Sequence, residues 1–142
     1  MITEAIKSAV RNGILVVASA GNNGRPQGGG DTVEVPARIK ETMAVAALTR
    51  RNKRAAFSAT GPALDIAAPG VNILSTYKDS QYAVLSGTSM AAPHVSGAVA
   101  IFKRKYPQLS PLRLSRLLME KAIDLPPRGK DRLTGAGLVQ VR

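Results

Sequence analysis

The chain has 142 residues, 44% of them hydrophobic but only 4% aromatic, so a core of one small unit has to be built from Ala, Val, Leu and Ile. It has no cysteine, which excludes disulfides, thiolate metal sites and a cysteine nucleophile, and no apolar run nears the roughly 20 residues of a membrane helix, so no membrane partner is expected. Its 20 Lys+Arg against 9 Asp+Glu give a net charge of +11, but no aromatic residues interleave with the cations at Arg50-Arg51-Asn52-Lys53-Arg54 and Lys103-Arg104-Lys105; these read as a solvated or acid-matched surface, and no nucleic-acid partner is expected.

In chain order, Thr3 to Asn12 reads as a helix, with Ala5, Ile6, Ala9 and Val10 at helical spacing and Gly13 at its C-terminal stop. Ile14 to Ala20 is an unbroken apolar run of the kind that fits a strand of a parallel sheet buried on both faces. A Gly- and Asn-rich loop follows from Gly21 to Asp31, then a second buried strand at Met43–Leu48. Asp65–Ala68, Asn72–Tyr77 and Tyr82–Leu85 are shorter strand candidates, the first two separated by Pro69-Gly70. Ser89 opens the longest helical stretch, to about Tyr106, with Ala91, Val95, Ala98, Val99 and Phe102 as its inward stripe. Ser110-Pro111 starts a last helix, serine at the N-cap and proline at the first helical position, with Leu114, Leu117 and Leu118 on its apolar side. Gly135 to Val139 reads as a turn and a closing strand. The pattern predicts an α/β layered fold with a mainly parallel sheet flanked by helices, without internal repeats or an interdomain linker.

Two segments carry chemistry. In Ser86-Gly87-Thr88-Ser89-Met90-Ala91-Ala92-Pro93-His94-Val95, Ser89 falls at a helix N-terminus, where backbone N–H groups and the helix dipole favour the negative charge that develops on an attacked carbonyl oxygen. Ala18-Ser19-Ala20-Gly21-Asn22-Asn23-Gly24 lies at the carboxyl end of a predicted parallel strand, where open α/β sheets place their binding crevice, and Asn22 has an amide N–H to offer there. Read alone, Ser89 also serves as an ordinary helix cap and Asn22 as a loop asparagine tolerant of left-handed backbone.

Taken together, these segments resemble the subtilases, a family of serine proteases. The Gly87-to-Val95 run is similar to their serine signature and Val16-to-Asn22 to their oxyanion segment; Phe57-Ser58, Asp65-Ile66-Ala67-Ala68-Pro69-Gly70-Val71 and Gly135-to-Val139 match in the same order. The resemblance implies a subtilisin-like fold and a serine-type endopeptidase acting on polypeptide substrates, with Ser89 as nucleophile and Asn22, helped by the Ser89 N–H, as oxyanion donor. It also implies that Ser19, Ala20 and Gly21, behind Ala18, wall the pocket for the residue preceding the scissile bond. Val35-Pro36 falls at a position that is commonly cis, and Glu34 near the pocket floor, where a carboxylate favours Lys or Arg in the substrate. No cofactor is required by this chemistry. Calcium is implied as a structural ion, with loop residues after Pro36 and Asp65 contributing one weak site, although no dense acidic loop is present.

Family order is Asp, His, Ser, and both earlier triad residues precede the matched segments. Residues 1–142 are therefore expected to be the C-terminal portion of a peptidase domain that needs its upstream part as partner, and to be inactive, poorly folded or aggregating alone. His94, the one histidine, lies five residues past Ser89, about 140° round a helix from it, and the resemblance makes it structural. Met1-Ile2-Thr3-Glu4 has no signal-peptide pattern, and the compartment stays unassigned. A non-catalytic homologue that binds extended peptides is the alternative reading, disfavoured because a pure binder needs neither Ser89 nor Asn22; a basic nucleic-acid module is a third.

Overall fold

A computed structural model describes all 142 residues. The elements are α1 (Ile2–Arg11), β1 (Val16–Ser19), β2 (Thr42–Leu48), β3 (Ile66–Pro69), β4 (Ile73–Tyr77), β5 (Gln81–Leu85), α2 (Thr88–Lys105) and α3 (Pro111–Lys121). Strands β1, β2 and β3 form a parallel sheet in that order, with Val16 opposite Thr42 and Val45 opposite Ile66. β4 and β5 form a separate antiparallel hairpin, Tyr77 opposite Gln81, closed by a turn in which Asp79 and Ser80 are left-handed. The architecture is α/β, as the alternation of elements predicts. No helix is long and apolar enough to cross a membrane.

The sheet's alternation of side chains divides the core. Met43, Val45 and Ala47 of β2 point, with Ile66 and Ala68, into a layer against α2 and α3, meeting Ala91, Val95, Ala98, Phe102, Leu114 and Leu118. Ala44, Ala46 and Leu48 point the other way, where Val33, Ala37, Ala59, Leu64 and Leu125 cover them without a helix. The layer of α2 and α3 thus lies on one face of β2, and loop residues close over the other. Small residues on α2 are what let it seat across all three strands, since Ala91, Val95, Ala98 and Phe102 return to one side every three or four residues. Phe102 anchors the far end, its ring stacked 6.1 Å from that of Tyr106. Val99 is half-buried at the margin of this stripe.

Three details depart from the sequence pattern. β1 begins at Val16, and Ile14 ahead of it is exposed, because β1 pairs with β2 alone and its other edge is open. The closing segment makes single bridges rather than a strand: Leu138 lies beside Ala67 on one side and Ile123 on the other, between the left-handed glycines Gly135 and Gly137 and the chain end. Finally, Arg54 turns inward from the basic run. Its guanidinium donates to the carbonyls of Arg25 (2.6 Å), Pro26 (3.0 Å), Ala55 (3.0 Å), Ala56 (3.3 Å) and Ser58 (2.6 Å), and burial pulls its pKa below the ordinary value. It staples the loop after β1 to the loop after β2.

Candidate active site

The site grows from two chain breaks in regular structure that face each other. β1 ends at Ser19, and Ala20, still bonded through its N–H to the Val45 carbonyl, leads into Gly21 and Asn22. Opposite them, Gly87 caps α2 and Thr88 begins it. Thr88 is 1% exposed, and its position is fixed by three hydrogen bonds to the β1 loop. The Asn22 Oδ1 accepts from the Thr88 N–H and from the Thr88 hydroxyl, both at 3.0 Å, while the Thr88 Oγ1 accepts from the Gly21 N–H at 3.2 Å.

This clamp determines which way the Asn22 amide faces. With Oδ1 held by Thr88, Nδ2 points to the front of α2. A Cβ placed on Gly87 would stand 3.5 Å from Asn22 Nδ2 and 3.7 Å from the Ser89 backbone N, so the two donors flank one open position that only a glycine leaves vacant. The loop after β3 supports the same corner, since Gly87 N–H donates to the Gly70 carbonyl at 2.8 Å. Gly70 itself has no room for a side chain, because a Cβ there would meet the Ala47 Cβ at 2.6 Å and the Gly87 carbonyl oxygen at 2.8 Å.

Ser89, the second residue of α2, is exposed and its hydroxyl makes no hydrogen bond within the chain. It stands between two concavities. One, of about 410 Å³, is walled by the β4–β5 hairpin with Met90, Pro93 and His94; the other, of about 540 Å³, by Val17, Ala18 and Ser19 of β1 with Pro36, Ala92 and Ser96. Pro93 brings no N–H to the helical ladder. The His94 Nδ1 is bonded to the Met90 carbonyl at 2.9 Å, which ties the ring to its own helix.

Among the other residues singled out by sequence, Ser19 borders the second concavity, while Ala20 and Gly21 are buried behind it. Glu34 is exposed and lies over Gly21, where a Cβ would meet the Glu34 Cδ at 2.9 Å; Asn23 Nδ2 donates to its carboxylate, and no Lys or Arg pairs with it. The Val35–Pro36 bond that follows is cis. Asp65 lies outside the crevice: its Oδ2 accepts from the Ala44 N–H at 2.9 Å and its Oδ1 from Lys130 at 3.2 Å. Sequence reasoning missed Thr88 and Asn23. Neither carried a local signal, because the bonds that give them their place join segments distant in the chain or depend on the loop's folded path.

Residues 1–137 match the Subtilase family. The chain belongs to that family. It is 46% identical over 138 residues to Subtilisin BL of Lederbergia lenta, covering 97% of this chain and 48% of the relative. Against the thermostable alkaline protease of Halalkalibacterium halodurans the figures are 45% over 135 residues, 95% and 35%. Against the minor extracellular protease Epr of Bacillus subtilis they are 36% over 142 residues, 100% and 21%. This subtilase chain therefore spans about half, or less, of the length of the curated relatives it matches.

Proposed function

We propose that this chain supplies the nucleophile and the oxyanion hole of a subtilisin-like serine endopeptidase, and that the base histidine and its aspartate come from outside residues 1–142. The observation that supports the reading is the Thr88 clamp, which holds Asn22 Oδ1 and leaves Asn22 Nδ2 and the Ser89 backbone N within 3.5 and 3.7 Å of the space a Cβ on Gly87 would fill, next to an exposed serine whose hydroxyl makes no hydrogen bond. In the reaction, the Ser89 Oγ adds to the carbonyl carbon of a bound peptide while its proton passes to the base. The carbonyl oxygen becomes an oxyanion held by Asn22 Nδ2–H and the Ser89 N–H. Collapse breaks the C–N bond, the base returns the proton to the leaving amine, and water then hydrolyses the acyl-enzyme by the same route. Fixing both donors before substrate arrives is what makes them effective, since nothing must reorganise as charge develops.

His94 is not the base in this reading. Its Nδ1 is tied to the Met90 carbonyl of its own helix at 2.9 Å, although the side chain borders the same concavity as Ser89. Without a base, the Ser89 hydroxyl stays protonated and is a weak nucleophile, so the chain alone is inactive. The crevice side of β1 and the lone carboxylate of Glu34 provide the substrate contact, and an unpaired carboxylate in that position favours a basic side chain ahead of the scissile bond.

Co-folding the chain with an upstream segment from a full-length subtilisin tests this. A serine-reactive phosphonate should label Ser89 and peptide hydrolysis should appear, and both should vanish in Ser89→Ala. A well-folded complex that does neither would overturn the reading. Steady Ser89-dependent hydrolysis by the chain on its own would overturn the assignment of the base. Cleavage after Arg and after Phe at equal rates would remove the role given to Glu34 and leave the rest intact.

A further inference from the structure

The calcium site implied by the family resemblance can be tested against the residues that would build it. A cavity of about 350 Å³ lies where that site would fall, bordered by Ala37 to Lys40, Thr42 and Asp65. Calcium takes six to eight oxygens, usually several of them carboxylate. Asp65 is the one carboxylate on this wall, and both its oxygens are engaged, by the Ala44 N–H and by Lys130. Nowhere does the chain bring three acidic or histidine side chains together, so any ion here would have to be held mainly by neutral carbonyl oxygens around one carboxylate. Arg38 and Lys40 border the same space; the Arg38 guanidinium is paired with Asp31 at 2.9 Å, and Lys40 adds a cation without a carboxylate partner. These residues do not fit calcium.

They do fit a cation that is part of the chain. We propose that the Lys130 ammonium is a tethered counter-ion standing beside Asp65 in place of a metal, and that it fastens the segment from Asp124 to Gly135 across the start of β3. Asp65 is 19% exposed in its side chain, so its charge needs a partner, and Lys130 Nζ provides one 3.2 Å from Oδ1. The segment that carries Lys130 is shaped to deliver it. The Asp124 carboxylate accepts from the Gly129 N–H at 3.0 and 3.1 Å, and Asp131 Oδ1 accepts from the N–H groups of Leu133 and Thr134 at 2.6 and 2.9 Å, which sets the turn on either side of the lysine. The same segment then lands on Asp65 a second time, as Ala136 N–H donates to the Asp65 carbonyl at 2.8 Å. A tethered ammonium is present at a high effective concentration that no chelator removes, and an external cation must displace it with the Lys40 ammonium also on the wall.

Thermal unfolding of the full chain, and of the chain co-folded with its upstream segment, separates a tethered cation from a metal. Wild type and Lys130→Arg should melt at the same temperature in millimolar calcium and in EDTA at matched ionic strength, and titration calorimetry should register no calcium binding. Lys130→Met keeps the aliphatic stem and removes the charge; it should melt about 2–4 °C lower in either solution, the size expected for one partly exposed pair in a domain of this length. A wild-type midpoint that rises in calcium, or Lys130→Met melting together with wild type, would overturn the proposal.

Discussion

The corner between Asn22 and Gly87 and the outer edge of β1 lie a few residues apart in the chain, and they are finished to different degrees. At the corner every directing group has its partner: Thr88 is bonded three times, Gly87 is tied to Gly70, and the Asn22 carbonyl oxygen has two donors. Along β1, Val16, Val17 and Ser19 are only half-buried and the strand is paired on one side, whereas every residue of β2 is buried and the strand has a neighbour on each side, β1 along its first half and β3 along its second. The contrast teaches that the geometry of this corner is set by hydrogen bonds within these 142 residues, while the sheet that carries it has one strand edge open.

The sharpest way to break that comparison is at Ser89. In a complex that supplies the base, Ser89→Ala should lower turnover by about 10⁶, the scale established for subtilisin itself, and leave the unfolding midpoint unchanged because the side chain is exposed. Asn22→Leu should lower turnover by about 10²–10³, again the magnitude known for subtilisin, with little change in substrate binding. If instead both substitutions unfolded the complex, the corner would be a structural cap and its completeness would say nothing about catalysis.

Thr88→Val tests whether the corner is preset. It removes a hydroxyl that bridges two groups, leaving the Gly21 N–H without an acceptor and Asn22 Oδ1 with one donor in place of two. The cost is about 1–3 kcal/mol, divided between folding and the orientation of the amide. Turnover measured alongside the thermal midpoint should therefore fall by roughly tenfold, with the Michaelis constant nearly unchanged. Retention of full turnover would mean that Asn22 finds its direction without the clamp. Arg54→Lys should cost about 2 kcal/mol of stability, because an ammonium cannot reach the five carbonyls that the planar guanidinium spans.

What could be read in the sequence follows the same division. The N-cap of α3 was legible because serine then proline is a local instruction, and Ser110 does accept from the Arg113 N–H at 3.4 Å. The stripe of α2 was legible because periodicity reports which side is buried. Apolar content in β1 and β2 looks alike, yet it records the surroundings a strand suits and not the neighbour present, so the open edge could not be read from it. Arg54 was hidden in a run of cations, since charge patterning cannot reveal that one guanidinium turns inward to carbonyl oxygens while Arg50, Arg51 and Lys53 stay in solvent. Asn22 and Ser89 stand out as motifs; the Thr88 bond that joins their loops links positions 66 residues apart, and no local pattern encodes it.

The smallest expected effect bears most directly on the unfinished edge. Val45 and Val17 are the same residue on adjacent strands, one fully buried in the core and one half-exposed beside the crevice. Val45→Ala deletes two packed methyl groups and should destabilise the chain by about 1–3 kcal/mol whether or not the upstream segment is bound. Val17→Ala should cost under about 1 kcal/mol in the chain alone, because that side chain packs only on the margin of the core and is partly in water. If β1 is an interior strand of the completed domain, the same substitution should approach the Val45 value once the upstream segment is supplied, since the transfer of its methyl groups out of water is then complete. Equal, small effects of Val17→Ala in both states would mean that nothing pairs with this edge, and the open strand would be a feature of the native surface.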